Sequence, residues 1–205
     1  MLQRNLGYCN KKRKTIRLII IWIKLITMQN FKFETYPDSK NIEVFDREIE
    51  KVEKHFRSGN AESIANLLKN NTKQDITSKG VYVFFCEKRK EIEYIGISRT
   101  IYFRLQQHTN HKHTSSASLA YLMAKNEYAK KEGWSKTEDW NQKRGFWKEL
   151  KADFENSKKF RERFQNKIKE YKVTFVEFEN SFEMALFEIY ASIKFQTHWN
   201  SFRTH

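Results

Sequence analysis

Structure-breaking residues are scarce in this chain. One proline, Pro37, and six glycines among 205 residues leave no stretch that reads as a long flexible linker. No internal repeat divides the chain. The length suits one domain with a core of its own. Only two cysteines occur, Cys9 and Cys86, far apart and without metal-ligand spacing. That argues against a disulfide scaffold and fits a reducing, cytoplasmic setting. Long apolar runs are also missing. The longest, Ile16–Ile26, is interrupted by Arg17 and Lys24 and falls short of the roughly 20 residues that span a bilayer. It follows a basic start, as a signal peptide would, but no small-residue cleavage site comes after it. Met28 follows directly. Residues 1–27 are therefore expected to be a non-native or disordered extension upstream of the true start, with an interfacial basic anchor as the alternative. No stable membrane association is expected.

Positive charge is abundant. The net charge is +14, and its distribution is uneven. Residues 1–27 hold seven Lys/Arg and no acids, and residues 109–171 hold fifteen Lys/Arg against nine Asp/Glu. The remainder is nearly neutral. A basic segment favours polyanionic partners, chiefly nucleic acid, although a merely solvated surface has the same composition.

Apolar spacing gives the elements. Residues 44–70 read as two helices, the first placing Val44, Ile49, Val52 and Phe56 on one face, the second Ile64, Leu67 and Leu68. Val81–Cys86 is β-branched and aromatic, a buried strand; a charged turn and Glu91–Ile97 complete a hairpin. Ser98 or Thr100 can cap a helix running to about His108. Residues 116–131 and 138–170 read as mostly helical. Lys172–Phe178 alternates, giving a third strand, and Asn180 can cap a last helix ending near Phe195.

Two triplets stand out in this frame: Gly80-Val81-Tyr82 on the first strand and Tyr94-Ile95-Gly96 on the second. Arg104 lies on the helix after them, with His108 one turn on. Glu188 lies on the last helix in the stretch Ala185–Ile193, and Asn200 twelve residues beyond it. In this order, and in a β-β-α…β-α context, these positions resemble the GIY-YIG nuclease superfamily, with Val for Ile in the first triplet. The resemblance covers residues 80–108 and 172–200. The chain departs from the family in the loop before Asn200, where Gln196–Trp199 contains no proline.

The resemblance implies a metal-dependent endonuclease that hydrolyses DNA phosphodiester bonds. Tyr82 would be the general base, Tyr94 its helper, Arg104 and His108 the phosphate clamp, Glu188 the ligand of one Mg2+ (or Mn2+), and Asn200 a support for the site. Gly80 and Gly96 would be structural, letting backbones approach closely. The residues agree chemically. A guanidinium forks onto phosphate oxygens and stays charged. A carboxylate holds Mg2+, which keeps most of its waters. A phenol needs nearby cations to serve as a base at neutral pH. Each residue also has a plainer reading: a solvated helix Arg, a helix-surface Glu, a core Tyr. Against that reading, Leu186, Ile189, Tyr190 and Ile193 surround Glu188 in sequence and suggest a helix buried over much of its circumference. His111 and His113 have no cysteine partners for a zinc site.

The basic segment carries aromatic residues at helical spacing that read as core. Lys143, Arg144, Lys148, Lys158, Lys159, Arg161 and Arg163 are expected to include a DNA-holding surface through phosphate contacts. The overall expectation is an α/β chain of α+β type, with a small three-stranded antiparallel sheet flanked by helices. Residues 28–79 form a helical part packed on a catalytic domain, 80–205, whose helical insertion spans about 110–170. The alternative is an inactive nucleic-acid-binding module on the same fold. The sequence leaves the oligomeric state open.

Overall fold

The computed structural model describes residues 39–133 and 144–200, side chains from 42 onward. The expectations for residues 1–27 and Lys143 lie outside the described residues. Along the chain run α1 (Ser39–Arg57), β1 (Glu62–Ser63), α2 (Ile64–Asn70), β2 (Gly80–Cys86) and β3 (Glu91–Ser98). Then follow α3 (Ile101–Asn110), α4 (Ser118–Lys131), α5 (Arg144–Asn156), α6 (Lys158–Lys169), β4 (Lys172–Glu177) and α7 (Ser181–Lys194). No described helix is long and apolar enough to cross a membrane.

The sheet has four antiparallel strands in the order β1-β4-β2-β3. This corrects the expected three. The additional strand is a two-residue edge piece, Glu62–Ser63, paired with Val173 and Lys172. Two residues are too short to show any alternation. The stretch expected to be mostly helical over 138–170 holds, in its described part from residue 144, two helices that meet at Ser157, whose side chain accepts from Phe160 N and caps α6. Of the expected caps, Asn180 holds at α7, where its Oδ1 accepts from Phe182 N at 2.9 Å, while Thr100 stands at the start of α3 without a side-chain cap bond.

β2 is the central strand, and its alternation divides the protein into two cores. Tyr82 and Phe84 point to one face, where α2 to α6 contribute Ile64, Leu105, Ala120, Phe154, Phe164 and others. Val81 and Val83 point to the other, where α1 brings Phe45, Ile49 and Val52 and α7 brings Met184, Phe187 and Ala191. On α1 the buried face includes Phe45 in place of the expected Val44. A central strand covered on both faces explains why Val81–Phe84 is uninterrupted apolar sequence. Its register with β3 sets Tyr82 opposite Gly96 and Phe84 opposite Tyr94.

Candidate active site

The two triplets meet because β2 and β3 are neighbours. Tyr82 lies across Gly96, and a Cβ built on Gly96 would stand 2.3 Å from the Tyr82 Oη. Only a glycine leaves room for the phenol there. At Gly80 a Cβ would stand 2.1 Å from Val176 O of β4, so this glycine lets β4 close in. Both glycines thus shape backbone and ring packing.

The Tyr82 ring is buried, and its oxygen is the centre of a hydrogen-bonded group. Arg104 Nε donates to Tyr82 Oη at 3.3 Å, and Tyr82 Oη lies 2.8 Å from His108 Nε2. The helical spacing of Arg104 and His108 brings both beside the phenol. His108 is wholly buried, where the sequence reading set it beside Arg104 facing phosphate. Burial, with Arg104 nearby, holds its imidazole well below the usual histidine range. It is therefore neutral at physiological pH; in the tautomer that carries its hydrogen on Nδ1, Nε2 accepts the Tyr82 O–H. The imidazole hydrogen then sits on Nδ1, a buried atom without a partner among the described residues. Burial also pushes the Tyr82 phenol well above its ordinary value, with Tyr94 adding to the rise and Arg104 opposing it.

Arg104 is held by more than Tyr82. Its Nη1 donates to Gln107 Oε1 at 3.0 Å and to Ser116 O at 2.9 Å, and its Nη2 to Ser118 Oγ at 3.0 Å. The sequence reading missed these three acceptors. Gln107 was legible as the i+3 neighbour of Arg104, whereas Ser116 and Ser118 arrive only by tertiary folding.

Tyr94 is half-buried, its ring centroid 6.1 Å from that of Tyr82 and 5.7 Å from that of His108. Burial raises its phenol most; Arg104 lowers it, and the negative charge of Glu188 raises it. Glu188 therefore lies close enough to Tyr94 to act on it electrostatically. Its own carboxyl is pushed up to about 7 by burial alone. No cation pairs with it among the described residues. α7 is not buried over much of its circumference as expected: Ile189 and Ile193 are exposed, so the helix buries one side only, and Glu188 stands at its margin.

A divalent metal fits Glu188 on these grounds. A desolvated carboxylate without a counter-cation favours a bound cation, and Mg2+ is satisfied by one carboxylate and waters. Among the described residues no group of three or more His, Cys, Asp and Glu could hold a metal, so a metal here would rest on one side chain. His113 instead faces Glu155, 4.0 Å away.

Asn200 works at the open edge of β3. Its Oδ1 accepts from Ile95 N at 2.8 Å, and its Nδ2 donates to Ile95 O at 2.6 Å. The side chain takes the place of a neighbouring strand. Trp199 N extends this to Glu93 O at 3.0 Å.

The basic candidates divide. Arg161 donates to Phe154 O and Glu155 O at the end of α5. Arg163 pairs with Glu127, and Lys158 with Glu162. Arg144, Lys148 and Lys159 are exposed and make no ion pair among the described residues.

No curated protein and no solved structure matches the chain. Residues 78–149 match the family model of the GIY-YIG catalytic domain. That span holds both triplets, Arg104 and His108, and the match supports membership of the GIY-YIG nuclease superfamily.

Proposed function

We propose that the protein is a metal-dependent endonuclease that hydrolyses DNA phosphodiester bonds, with Tyr82 as general base and Glu188 holding one Mg2+. The observation that carries this reading is the phenol oxygen of Tyr82, bonded at once to Arg104 and His108.

A phenol raised well above its ordinary value is a poor base if it must first ionise. The bonded pair avoids that step. Tyr82 Oη accepts the proton of the attacking water while its own proton passes to His108 Nε2. The water oxygen forms its bond to phosphorus as the bond to the 3′ oxygen breaks, and solvent protonates the leaving oxygen. Arg104 stabilises negative charge on the phenol oxygen and the phosphate. Glu188 is the residue to hold Mg2+, which when bound supplies positive charge and ordered water. His108 returns its proton readily, because burial disfavours the imidazolium. General-base catalysis of this kind contributes about 10²–10⁴-fold.

A second reading has its own support. Tyr94 is less buried than Tyr82 and senses the charge of Glu188. It would then meet the water, with Tyr82 and His108 behind it.

Supercoiled plasmid cleavage with and without Mg2+ tests the proposal. Tyr82→Phe is expected to lose at least about 10²-fold in rate, and Glu188→Ala to lose Mg2+-dependent cutting. Full activity in Tyr82→Phe with none in Tyr94→Phe would move the base to Tyr94. Absence of cutting by the unaltered chain on DNA and RNA alike would leave a nucleic-acid-binding module.

A further inference from the structure

The segment between α3 and α4 opens the helical insertion, and it is fastened from three sides. Glu155 on α5 accepts from Thr114 N at 3.0 Å and from Thr114 Oγ1 at 3.2 Å. Buried Gln165 on α6 donates to His111 O at 2.8 Å. Arg104, reaching over from α3, donates to Ser116 O and Ser118 Oγ.

We propose that Ser118 is a positioning residue of the hydrolytic reaction: its hydroxyl, together with the Ser116 carbonyl, holds the Arg104 guanidinium in register with the Tyr82 oxygen. The proposal rests on the nuclease reading above.

The geometry carries it in three steps. A guanidinium is a planar fork with fixed N–H directions. Acceptors on Nη1 and Nη2 stop it from turning, and that fixes where Nε–H points. The bond that Nε makes to Tyr82 is 3.3 Å, at the long end of the useful range, so a small rotation breaks it. The reacting oxygen thus depends on acceptors that lie on the far side of the guanidinium. Finally, Ser118 is not occupied as a helix cap. The cap position of α4 is Ala117, and no side-chain cap bond is made there. The ordinary reason for a serine at a helix start is missing, and the hydroxyl serves Arg104 instead.

The groups facing the Tyr82 phenol are Arg104 and His108 from α3 and Tyr94 from β3. Arg104 is the cation among them that Ser118 touches. Loosening Arg104 removes a charge that favours phenolate and leaves the others in place. The predicted signature is therefore a change in the phenol itself.

The experiment uses the full chain with Mg2+ and a plasmid substrate. Ser118→Ala should fold, because alanine suits a first helical turn. Its kcat is expected to fall about 10- to 100-fold, the usual effect of losing a hydrogen bond to a charged group, with KM unchanged. Ser118→Thr, which keeps the hydroxyl, should recover most of that activity. Combined with Arg104→Lys, Ser118→Ala should cost nothing further, since the two act through one contact. In protein carrying 13Cζ-tyrosine, the resonance that disappears in Tyr82→Phe should ionise at higher pH in Ser118→Ala than in the unaltered chain. An unchanged kcat and an unmoved Tyr82 resonance in folded Ser118→Ala would overturn the proposal. So would full additivity with Arg104→Lys. An active Tyr82→Phe would instead sink the general-base reading, so the two failures are distinguishable.

Discussion

Glu188 keeps a carboxyl at about 7 with no counter-cation beside it among the described residues, and this has consequences for stability. The folded state holds its proton more tightly than an unfolded chain, whose glutamate titrates near its ordinary value of about 4.3. The stability this proton provides is complete below about pH 4.5. It is lost as pH rises through about 7. Above that pH the folded chain carries a desolvated negative charge. Glu188→Gln is therefore expected to raise stability at pH 8 by about 1–2 kcal/mol, after discounting for solvent that still reaches the half-buried group. Near pH 4.5 it should change little. Thermal unfolding at the two values measures this, and a variant equally stable to the unaltered chain at pH 8 would remove the desolvation account. Mg2+ should raise the melting temperature at pH 8 for glutamate and not for glutamine. Not every part of this site was equally readable. Tyr82, Gly96 and Arg104 fall at spacings that a strand pair and a helix turn impose, so the sequence was enough to bring them together. How deeply each lies is another matter. His108 looked like a surface partner of Arg104, because helical spacing gives a face and not a depth. Ile189 and Ile193 looked buried for the same reason.

At the scale of elements, the outer edge of β3 is the vulnerable part. An edge strand presents unpaired N–H and C=O groups. Here the C-terminal stretch covers them through Trp199 and Asn200. A bulge sits at the same place: Phe84 pairs with Tyr94, and Phe85 with Ile92, which leaves Glu93 as the extra residue. Glu93 is wholly buried, and Arg89 lies against its carboxylate. Burial raises this carboxyl and Arg89 opposes the rise. The bulge turns Tyr94 to the Tyr82 face, and Ile92 to the opposite core. Asn200→Ala is expected to destabilise the protein by about 1–3 kcal/mol, the cost of leaving a part-buried backbone pair unsatisfied. Amide exchange at Ile95 should speed up, and the denaturant midpoint should fall. Unaltered exchange at Ile95 would mean that solvent or another group replaces the side chain without cost. The hairpin and the helices were legible because each has enough residues to show a period. The bulge and β1 were not, since one extra residue and one two-residue strand leave no pattern. The break at Ser157 was available as a capping serine but was hidden by polar sequence that favours helix on both sides.

For the whole molecule the question is what the positive charge does. The helical insertion from α4 to α6 is basic in sequence, yet its cations have different employments. Arg161 fixes the end of α5, and Arg163 is engaged by Glu127. Lys125 lies over the rings of Tyr121 and Trp147, and burial lowers its ammonium. Arg144, Lys148 and Lys159 remain exposed, and they are the better candidates for binding phosphate. Replacing these three by alanine in the Glu188→Ala background should weaken binding to a duplex of any sequence. Every cation that truly neutralises a phosphate should, once replaced, reduce the slope of log K against log salt by about 0.9. The triple variant should therefore flatten the slope by up to about three, measured by fluorescence anisotropy across a salt series. Arg161→Ala should behave differently. It removes donors from two helix-end carbonyls, so it should lower the melting temperature and leave the salt slope unchanged. If the triple variant keeps the full slope, the phosphates are held elsewhere on the molecule. If Arg161→Ala flattens it, that guanidinium leaves α5 on binding and joins the interface.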